Sequence, residues 1–262
     1  MRIAIVSECF LPEVNGVTNS VLRVLEHLER RGHETLVVAP GPGPNHHGAH
    51  PVVRVPGPPL PCYRSLRVGL PTPAMRRAID RFAPDLVHVA APAVLGTAAL
   101  RHARESGIPS VAIYQTDLVG FARRYGLSVL GRPLRAMLRR AHADADLTLA
   151  PSSAALWQLR AAGVERVARW GRGVDTDAFD PRHRSDSLRD HIAPGEVLVG
   201  TVGRLAAEKR IDLLVGDPMR RMVFGRRARD LVLPRGWSAV GDDLLRHYRS
   251  VLADGDVRRL AA

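Results

Sequence analysis

The chain has 262 residues, of which 45% are hydrophobic, so it is long enough to bury sizeable cores in two domains. Its formal net charge of +12 suits an anionic partner, but no basic run alternates with aromatic residues and no zinc-finger or helix-turn-helix pattern occurs, so we expect no nucleic-acid partner. The two cysteines, Cys9 and Cys62, show neither a disulfide framework nor metal-ligand spacing, and no stretch approaches the ~20 apolar residues of a membrane-spanning helix. These features favour a cytoplasmic protein.

In chain order, predicted strands alternate with predicted helices. The N-terminus, Arg2 to Ser7, reads as a buried strand rather than a signal peptide. A helix with apolar residues at helical spacing follows from Thr18 to Arg31 and ends at Gly32. Further strands are predicted at 35–39, 52–55, 85–90, 108–114, 146–150 and 167–170, and further helices at 94–106, 134–143 and 152–162 and in the residues before Phe82. This order predicts an α/β fold with a doubly wound parallel sheet.

The second half of the chain is less regular. Residues 1–172 are predicted to form the first Rossmann-like domain, and 173–195 a hinge or linker. A second α/β unit begins at about residue 196, but its pattern breaks at about 216, after one strand and one helix. Residues 217–262 read as arginine-rich C-terminal helices, which either pack back across the first domain or stay solvated.

One motif in this half suits a diphosphate. The strand from Val197 to Val202 ends at Gly203, and Arg204 and Lys209 follow. Two cations beside the free N–H groups of a helix start could bind phosphate oxygens, with arginine as a planar fork and lysine as a point charge. The alternative is an ordinary solvated helix start after a strand.

Four segments together resemble one protein family: residues 8–20 (ECFLPEVNGVTNS), 114–117 (YQTD), 172–179 (RGVDTDAF) and 203–209 (GRLAAEK). They resemble the retaining glycosyltransferases of family 4, which have the two-domain GT-B fold. Within that family the chain is most similar to actinobacterial GDP-mannose-dependent α-mannosyltransferases that act on lipid or phosphatidylinositol acceptors. The resemblance implies a nucleotide-sugar donor, a lipid acceptor and a location on the inner face of the cell membrane.

The resemblance also implies roles on the donor side. Asn15 and Gly16 would bind the donor, with Gly16 letting the backbone approach its phosphate or sugar; a simple Asn-Gly turn is the alternative. Gly203, Arg204 and Lys209 would hold the pyrophosphate and stabilise negative charge on the departing nucleotide. No metal and no further cofactor is expected, because the two cations would replace a metal ion.

On the acceptor side, the resemblance implies that Asp117 faces the cleft near the reacting sugar, as the third catalytic residue. Tyr114, Gln115 and His88 are the predicted acceptor-binding residues. Relatives often carry histidine where this chain has Gln115, so no catalytic base is assigned. His88 could equally be a hydrogen-bonded core residue.

The second domain departs from the family pattern. The family carries an E-x7-E motif there, whereas Glu208 is the only glutamate after Glu196. Glu26 and Glu34 have this spacing but belong to the first domain, so we interpret them as a coincidence. The domain therefore reads as internally shortened, which makes a catalytically inactive, acceptor- or membrane-binding remnant the main alternative. A weaker alternative is an anion-binding or nucleic-acid accessory protein. An incomplete domain also predicts self-association.

Three other groups of residues have simpler interpretations. His46, His47 and His50 lie in a Pro/Gly-rich segment and are expected to be exposed rather than metal ligands. The three tryptophans are expected to be packing residues: Trp157, Trp170 and Trp237. Arginines at 132, 135, 139 and 140 on a predicted helix could contact anionic lipid.

Overall fold

The computed structural model describes residues 1–60, 63–115, 131–194 and 230–260. The chain divides into two compact units, the first made of Met1–Gly171 with Val240–Ala262 and the second of Arg172–Ala239. The first unit thus ends one residue before the predicted domain end at 172. Residues 240 onward, part of the predicted C-terminal helices 217–262, group with the first unit.

The first unit is built on a parallel sheet. Its strands are β1 (Arg2–Val6), β2 (Glu34–Pro40), β3 (His46–His47), β4 (His50–Val55), β5 (Pro59–Leu60), β6 (Tyr63–Arg67), β7 (Leu86–Val89), β8 (Ser110–Ile113), β9 (Leu147–Ala150) and β10 (Val167–Arg169). Eight of these form one sheet in the order β10-β9-β8-β7-β1-β2-β4-β3. All its pairings are parallel except that of β3 with β4. The predicted α/β class is confirmed.

Helices cross between the parallel strands: α1 (Gly16–Arg30), α2 (Pro73–Phe82), α3 (Val94–Glu105), α4 (Gly131–Ala143) and α5 (Ser153–Ala161). The central strand β1 is fully buried from Ile3 to Val6, as expected for a strand covered by helices on both faces. Helix α1 buries its predicted apolar face, including Val21, Leu25 and Leu28. Gly32, with a φ of +71°, follows its end.

Two segments that lie between the predicted strands and helices contain short strands. Residues 40–51 include β3, which pairs antiparallel with β4, and residues 56–73 include the β5–β6 hairpin. Strands of two to five residues give too few positions for a hydrophobic period to be visible. The expectation that His50 is exposed is wrong: its ring is 4% exposed, and its Nδ1 lies 2.6 Å from the hydroxyl of Thr35.

The second unit contains α6 (Asp186–Ile192) within the segment predicted as a hinge. The hydroxyl of Ser185 caps this helix by accepting the N–H of Leu188. Trp237 packs its indole ring directly over Gly173, so that it is a packing residue as predicted. The expectation for Trp157 is wrong, because that ring, on α5 of the first unit, is 70% exposed.

The C-terminal helix α7 (Trp237–Leu260) packs against the first unit from residue 240 onward. Buried Trp170 donates its indole N–H to the carbonyl of Val240, at 2.9 Å. Asp242 accepts from His27, at 3.1 Å, and Tyr248 is fully buried against His88. Of the two arrangements that the sequence left open for this helix, the structure adopts packing rather than solvation.

Candidate functional site

The candidate site lies at the carboxyl edge of the sheet in the first unit. The chain order of the strands reverses between β1 and β7, since β1 is followed by β2 on one side while β7 to β10 continue on the other. In open α/β sheets this reversal leaves a crevice outside the carboxyl ends of the strands, where ligands bind. The loop after β1, residues 7–15, and the loop after β7, residues 90–93, border it.

Asn15 and Gly16 lie at the end of the β1 loop. The side-chain oxygen of Asn15 accepts hydrogen bonds from the N–H groups of Val17, at 2.9 Å, and Thr18, at 3.0 Å, and so caps α1. Gly16 is the first residue of α1, and a Cβ added to it would meet no described atom within 4 Å. Neither backbone conformation nor packing against the described residues therefore requires glycine here. The open space beside Gly16 is what a bound ligand could occupy.

Glu8 joins the two loops across the crevice. Its carboxylate is 7% exposed and accepts the N–H of Gly96, at 3.0 Å, in the first turn of α3. Burial raises the pKa of this carboxyl above its usual value, while backbone N–H groups, led by that of Gly96, lower it. The N-cap residue of α3 is Ala93, whose side chain makes no capping hydrogen bond. Glu8, from the loop after β1, caps this helix instead. No signal for this role is visible in the sequence beyond the place of Glu8 in the family-like segment 8–20.

Gln115 lies at the same edge, after the end of β8. Its side-chain amide donates to the carbonyl of Ala90, at 2.6 Å, and thereby links the loops that follow β7 and β8. This places the predicted acceptor residue Gln115 beside the crevice. Its amide also explains how a residue without acid–base chemistry can serve the site, since it holds the neighbouring loop.

Tyr114 and His88, also predicted to bind the acceptor, are enclosed instead. Tyr114 is 4% exposed, and its hydroxyl donates to Gln158 at 3.4 Å. His88 is 2% exposed, with its Nδ1 2.6 Å from the hydroxyl of Tyr248, and burial lowers its pKa to about 3. Such placement does not suit an acceptor-binding residue, because neither ring has a surface to offer. His88 follows the core interpretation that the sequence left open.

The remaining predicted site residues lie outside the described residues: Asp117, Gly203, Arg204 and Lys209. Their roles stay predictions. Among the described side chains, histidine, cysteine, aspartate and glutamate form no group of three or more that could hold a metal ion. The helices in the described ranges are each too short or too polar to cross a bilayer.

Comparison with known proteins identifies relatives over most of the chain. Residues 14–178 match the sequence profile of Glycosyltransferase Family 4. A GDP-mannose-dependent alpha-mannosyltransferase of Mycolicibacterium smegmatis is 50% identical over 236 residues, which cover 86% of this chain and 63% of the relative. The protein of the same description from Mycobacterium tuberculosis is 49% identical over 223 residues, covering 82% of this chain and 59% of the relative. The chain thus spans about three fifths of these relatives.

A solved structure shares the architecture. The Anabaena protein HepE, crystallised in complex with UDP, superimposes with a TM-score of 0.57 at 16% identity, covering 90% of this chain and 68% of that one. At this identity the likeness concerns the fold alone, which is that of the GT-B glycosyltransferases.

Proposed function

The chain belongs to glycosyltransferase family 4, and from that premise we propose that it transfers mannose from GDP-mannose, with retention, to a membrane lipid of the phosphatidylinositol type. The observation that carries the donor assignment is the identity of 49–50% to two GDP-mannose-dependent alpha-mannosyltransferases. The lipid acceptor rests on the weaker similarity, 27% over 223 residues, to a phosphatidylinositol dimannoside mannosyltransferase of Mycobacterium tuberculosis.

In the proposed reaction, an acceptor hydroxyl attacks the anomeric carbon of mannose from the face that the nucleotide leaves. The carbon–oxygen bond to the phosphate breaks, and the hydroxyl proton passes to the departing phosphate, so that no protein nucleophile is required. Arg204 and Lys209 stabilise the charge of the departing GDP, and Asp117 faces the reacting sugar. The open side of Gly16, at the start of α1, receives the donor phosphate or sugar. No metal takes part.

The alternative, an inactive remnant that only binds acceptor or membrane, differs in one respect that can be measured. It would lack affinity for the donor, because the second domain reads as internally shortened and its sequence carries no E-x7-E motif. The identity of 49–50% to two GDP-mannose-dependent alpha-mannosyltransferases, over 82–86% of the chain, does not favour this alternative.

Replacing Gly16 by valine is expected to weaken GDP-mannose binding strongly and to leave the fold intact. The added side chain fills space that no described atom occupies, so it costs little in stability while obstructing the donor. Calorimetric titration with GDP and GDP-mannose measures the affinity, and thermal melting measures the fold. Arg204→Ala should reduce the affinity as well, by about 10- to 100-fold for one lost charged contact.

The matched control is Gly171→Val, because a Cβ at Gly171 also meets no described atom within 4 Å and the residue follows β10, three strands away from β7 in the sheet. The affinity of the Gly171→Val variant for GDP-mannose should equal that of the wild type. Absence of any GDP-mannose binding by the wild-type chain would overturn the proposed function and favour the remnant. Equal binding by wild type and Gly16→Val would remove Gly16 from the donor site.

The proposed lipid acceptor calls for a membrane-facing surface, and α4 and α5 offer one. Trp157 is 70% exposed, and three arginines on these helices are exposed: Arg139, Arg140 and Arg160. The helices adjoin, since a Cβ built on Gly163 would lie 3.2 Å from Cδ of Arg139. Indole rings favour the membrane interface, and each arginine near an anionic surface contributes about 1 kcal/mol.

Arg139→Gln combined with Arg140→Gln is expected to weaken binding to phosphatidylglycerol vesicles by roughly 10- to 30-fold, because about 1 kcal/mol is lost per charge. Trp157→Ala should weaken binding further by removing the interfacial ring. Vesicle sedimentation at low and high salt measures this, with Arg23→Gln plus Arg104→Gln as a control that removes the same charge from α1 and α3. If both double variants bind equally, the surface is elsewhere.

A further inference from the structure

Arg54, on β4, connects two loops at the carboxyl edge of the sheet. Among the described residues, its guanidinium donates to backbone carbonyl oxygens: from Nη2 to Leu11 at 2.7 Å and Pro44 at 2.9 Å, from Nη1 to Pro40 at 3.0 Å, and from Nε to Pro44 at 3.0 Å. Leu11 belongs to the loop after β1, and Pro44 to the loop after β2. The planar guanidinium therefore binds carbonyl oxygens of both loops. The single ammonium group of a lysine could not make the same set of hydrogen bonds.

The packing around this guanidinium is tight. A Cβ added to Gly43 would lie 2.5 Å from the carbonyl oxygen of Leu11 and 2.6 Å from Cζ of Arg54. Phe10, the neighbour of Leu11, has its ring centroid 5.7 Å from Cζ. The β1 loop is thus pressed against Arg54 on one side and against the β2 loop on the other.

The charge of Arg54 is met by peptide dipoles rather than by an acid. Within the described parts of the chain, no carboxylate forms an ion pair with it, and each hydrogen bond of its guanidinium ends on a carbonyl oxygen. Burial alone lowers the pKa of this guanidinium, which remains cationic at neutral pH. A cation kept half-buried without an anionic partner serves the loops it binds, because its desolvation is offset by carbonyls of those loops and by the ring of Phe10.

The held loop ends at the donor side of the site. Leu11 lies four residues before Asn15, whose side chain caps α1, and Gly16 opens the helix. Within the loop, the N–H of Glu13 donates to the carbonyl of Phe10, at 3.2 Å, so that the segment between Arg54 and the cap is itself folded. A loop fixed at Leu11 leaves Asn15 and Gly16 little freedom to move.

We propose that Arg54 is a positioning residue for the donor: it locks the β1 loop against the β2 loop and thereby fixes Asn15 and Gly16 where the donor phosphate or sugar binds. The proposal rests on the proposed function for its ligand, but not for the loop contact itself. Arg54 touches neither donor nor acceptor in this assignment, and acts through the loop.

The first measurement needs no ligand. In Arg54→Gln, the amide of Glu13 should exchange hydrogen about tenfold faster or more, because loss of the clamp lets the loop open locally. Amides in the middle of α1 should keep wild-type protection. Arg104→Gln is the matched control, since it removes one exposed arginine that pairs with Asp144 at the opposite edge of the sheet. This control should leave the exchange rate of the Glu13 amide unchanged.

The second measurement is the affinity for GDP-mannose by calorimetry. Arg54→Gln should bind at least about tenfold more weakly, through a less favourable binding entropy, since the loop must now be ordered on binding. The affinity of Arg54→Lys should lie between those of the wild type and Arg54→Gln, because an ammonium group can reach only some of the carbonyl oxygens that Arg54 binds. A role limited to global stability would shift the melting temperature without this selective loss of loop protection.

The outcomes are separable. Wild-type exchange at Glu13 in Arg54→Gln overturns the clamp. Faster exchange at Glu13 together with wild-type affinity for GDP-mannose overturns the positioning role of Arg54 for the donor. If Arg54→Gln does not fold, the same two measurements on Arg54→Lys decide. A wild-type chain without affinity for GDP-mannose overturns the proposed function, while the exchange data still report on the loop.

Discussion

Acidification from pH 7 to pH 5 is expected to destabilise the first unit by several kcal/mol, because two buried histidines fold in the neutral form. Burial lowers the pKa of His88 from 6.5 to about 3 and that of His142 to about 4. Between these values and 6.5, the unfolded chain binds protons that the folded chain does not. Stability is therefore full above pH 6.5 and is lost as the pH falls, by about 1.4 kcal/mol per pH unit for each histidine.

The pair of His88 and Tyr248 allows a clean test. Replacing both partners, His88→Leu with Tyr248→Phe, removes one titrating group without leaving a buried polar atom unpaired. The slope of the unfolding free energy against pH, from urea melts between pH 5 and 6.5, should fall by about 1.4 kcal/mol per unit. His142, which contacts the hydroxyl of Thr148, supplies a further part of the slope, and His27, His33 and His50, whose pKa values burial also lowers, add to it.

Tyr248→Phe alone is the control for this double variant. It retains His88 and should keep the wild-type pH slope, while costing about 1–3 kcal/mol at pH 7 for the unpaired histidine nitrogen. An unchanged slope in the double variant would show that His88 is not the titrating group.

Gly241→Ala is expected to destabilise the protein, although alanine favours a helix over glycine by about 1 kcal/mol. Gly241 lies in α7, and a Cβ there would come within 2.6 Å of Nδ1 of His27. The ring of His27 is 3% exposed and its other nitrogen is bonded to Asp242, so it has no room to move aside. Overpacking of this kind typically costs about 1–3 kcal/mol, which exceeds the gain in propensity.

The sign of the effect makes this prediction decisive, since propensity and packing predict opposite shifts of the melting temperature. Gly171→Ala is the control, because its new Cβ meets no described atom within 4 Å. If Gly241→Ala raises the melting temperature, the close contact between α7 and α1 is absent in solution.

The sequence determined the architecture of the first unit because its signals are local. A run such as Ile3 to Val6 predicts a buried strand wherever it is placed, and the apolar spacing from Val21 to Leu28 predicts one helix face. The start of this helix is predicted at Thr18, whereas the structure begins it at Gly16, where Asn15 caps it through a bond within three residues of itself. Short strands such as β3 carried no period and were missed.

Tertiary structure alone decided how these elements hold one another. Arg54 bonds a carbonyl 43 positions away, Glu8 caps a helix 88 positions away, and His88 meets Tyr248 160 positions away. The same arginine, glutamate or histidine elsewhere in a sequence would be a solvated side chain, so residue type and spacing cannot reveal these partners. The exposed ring of Trp157 has the same cause: burial depends on which surfaces meet, and that is fixed only when the chain has folded.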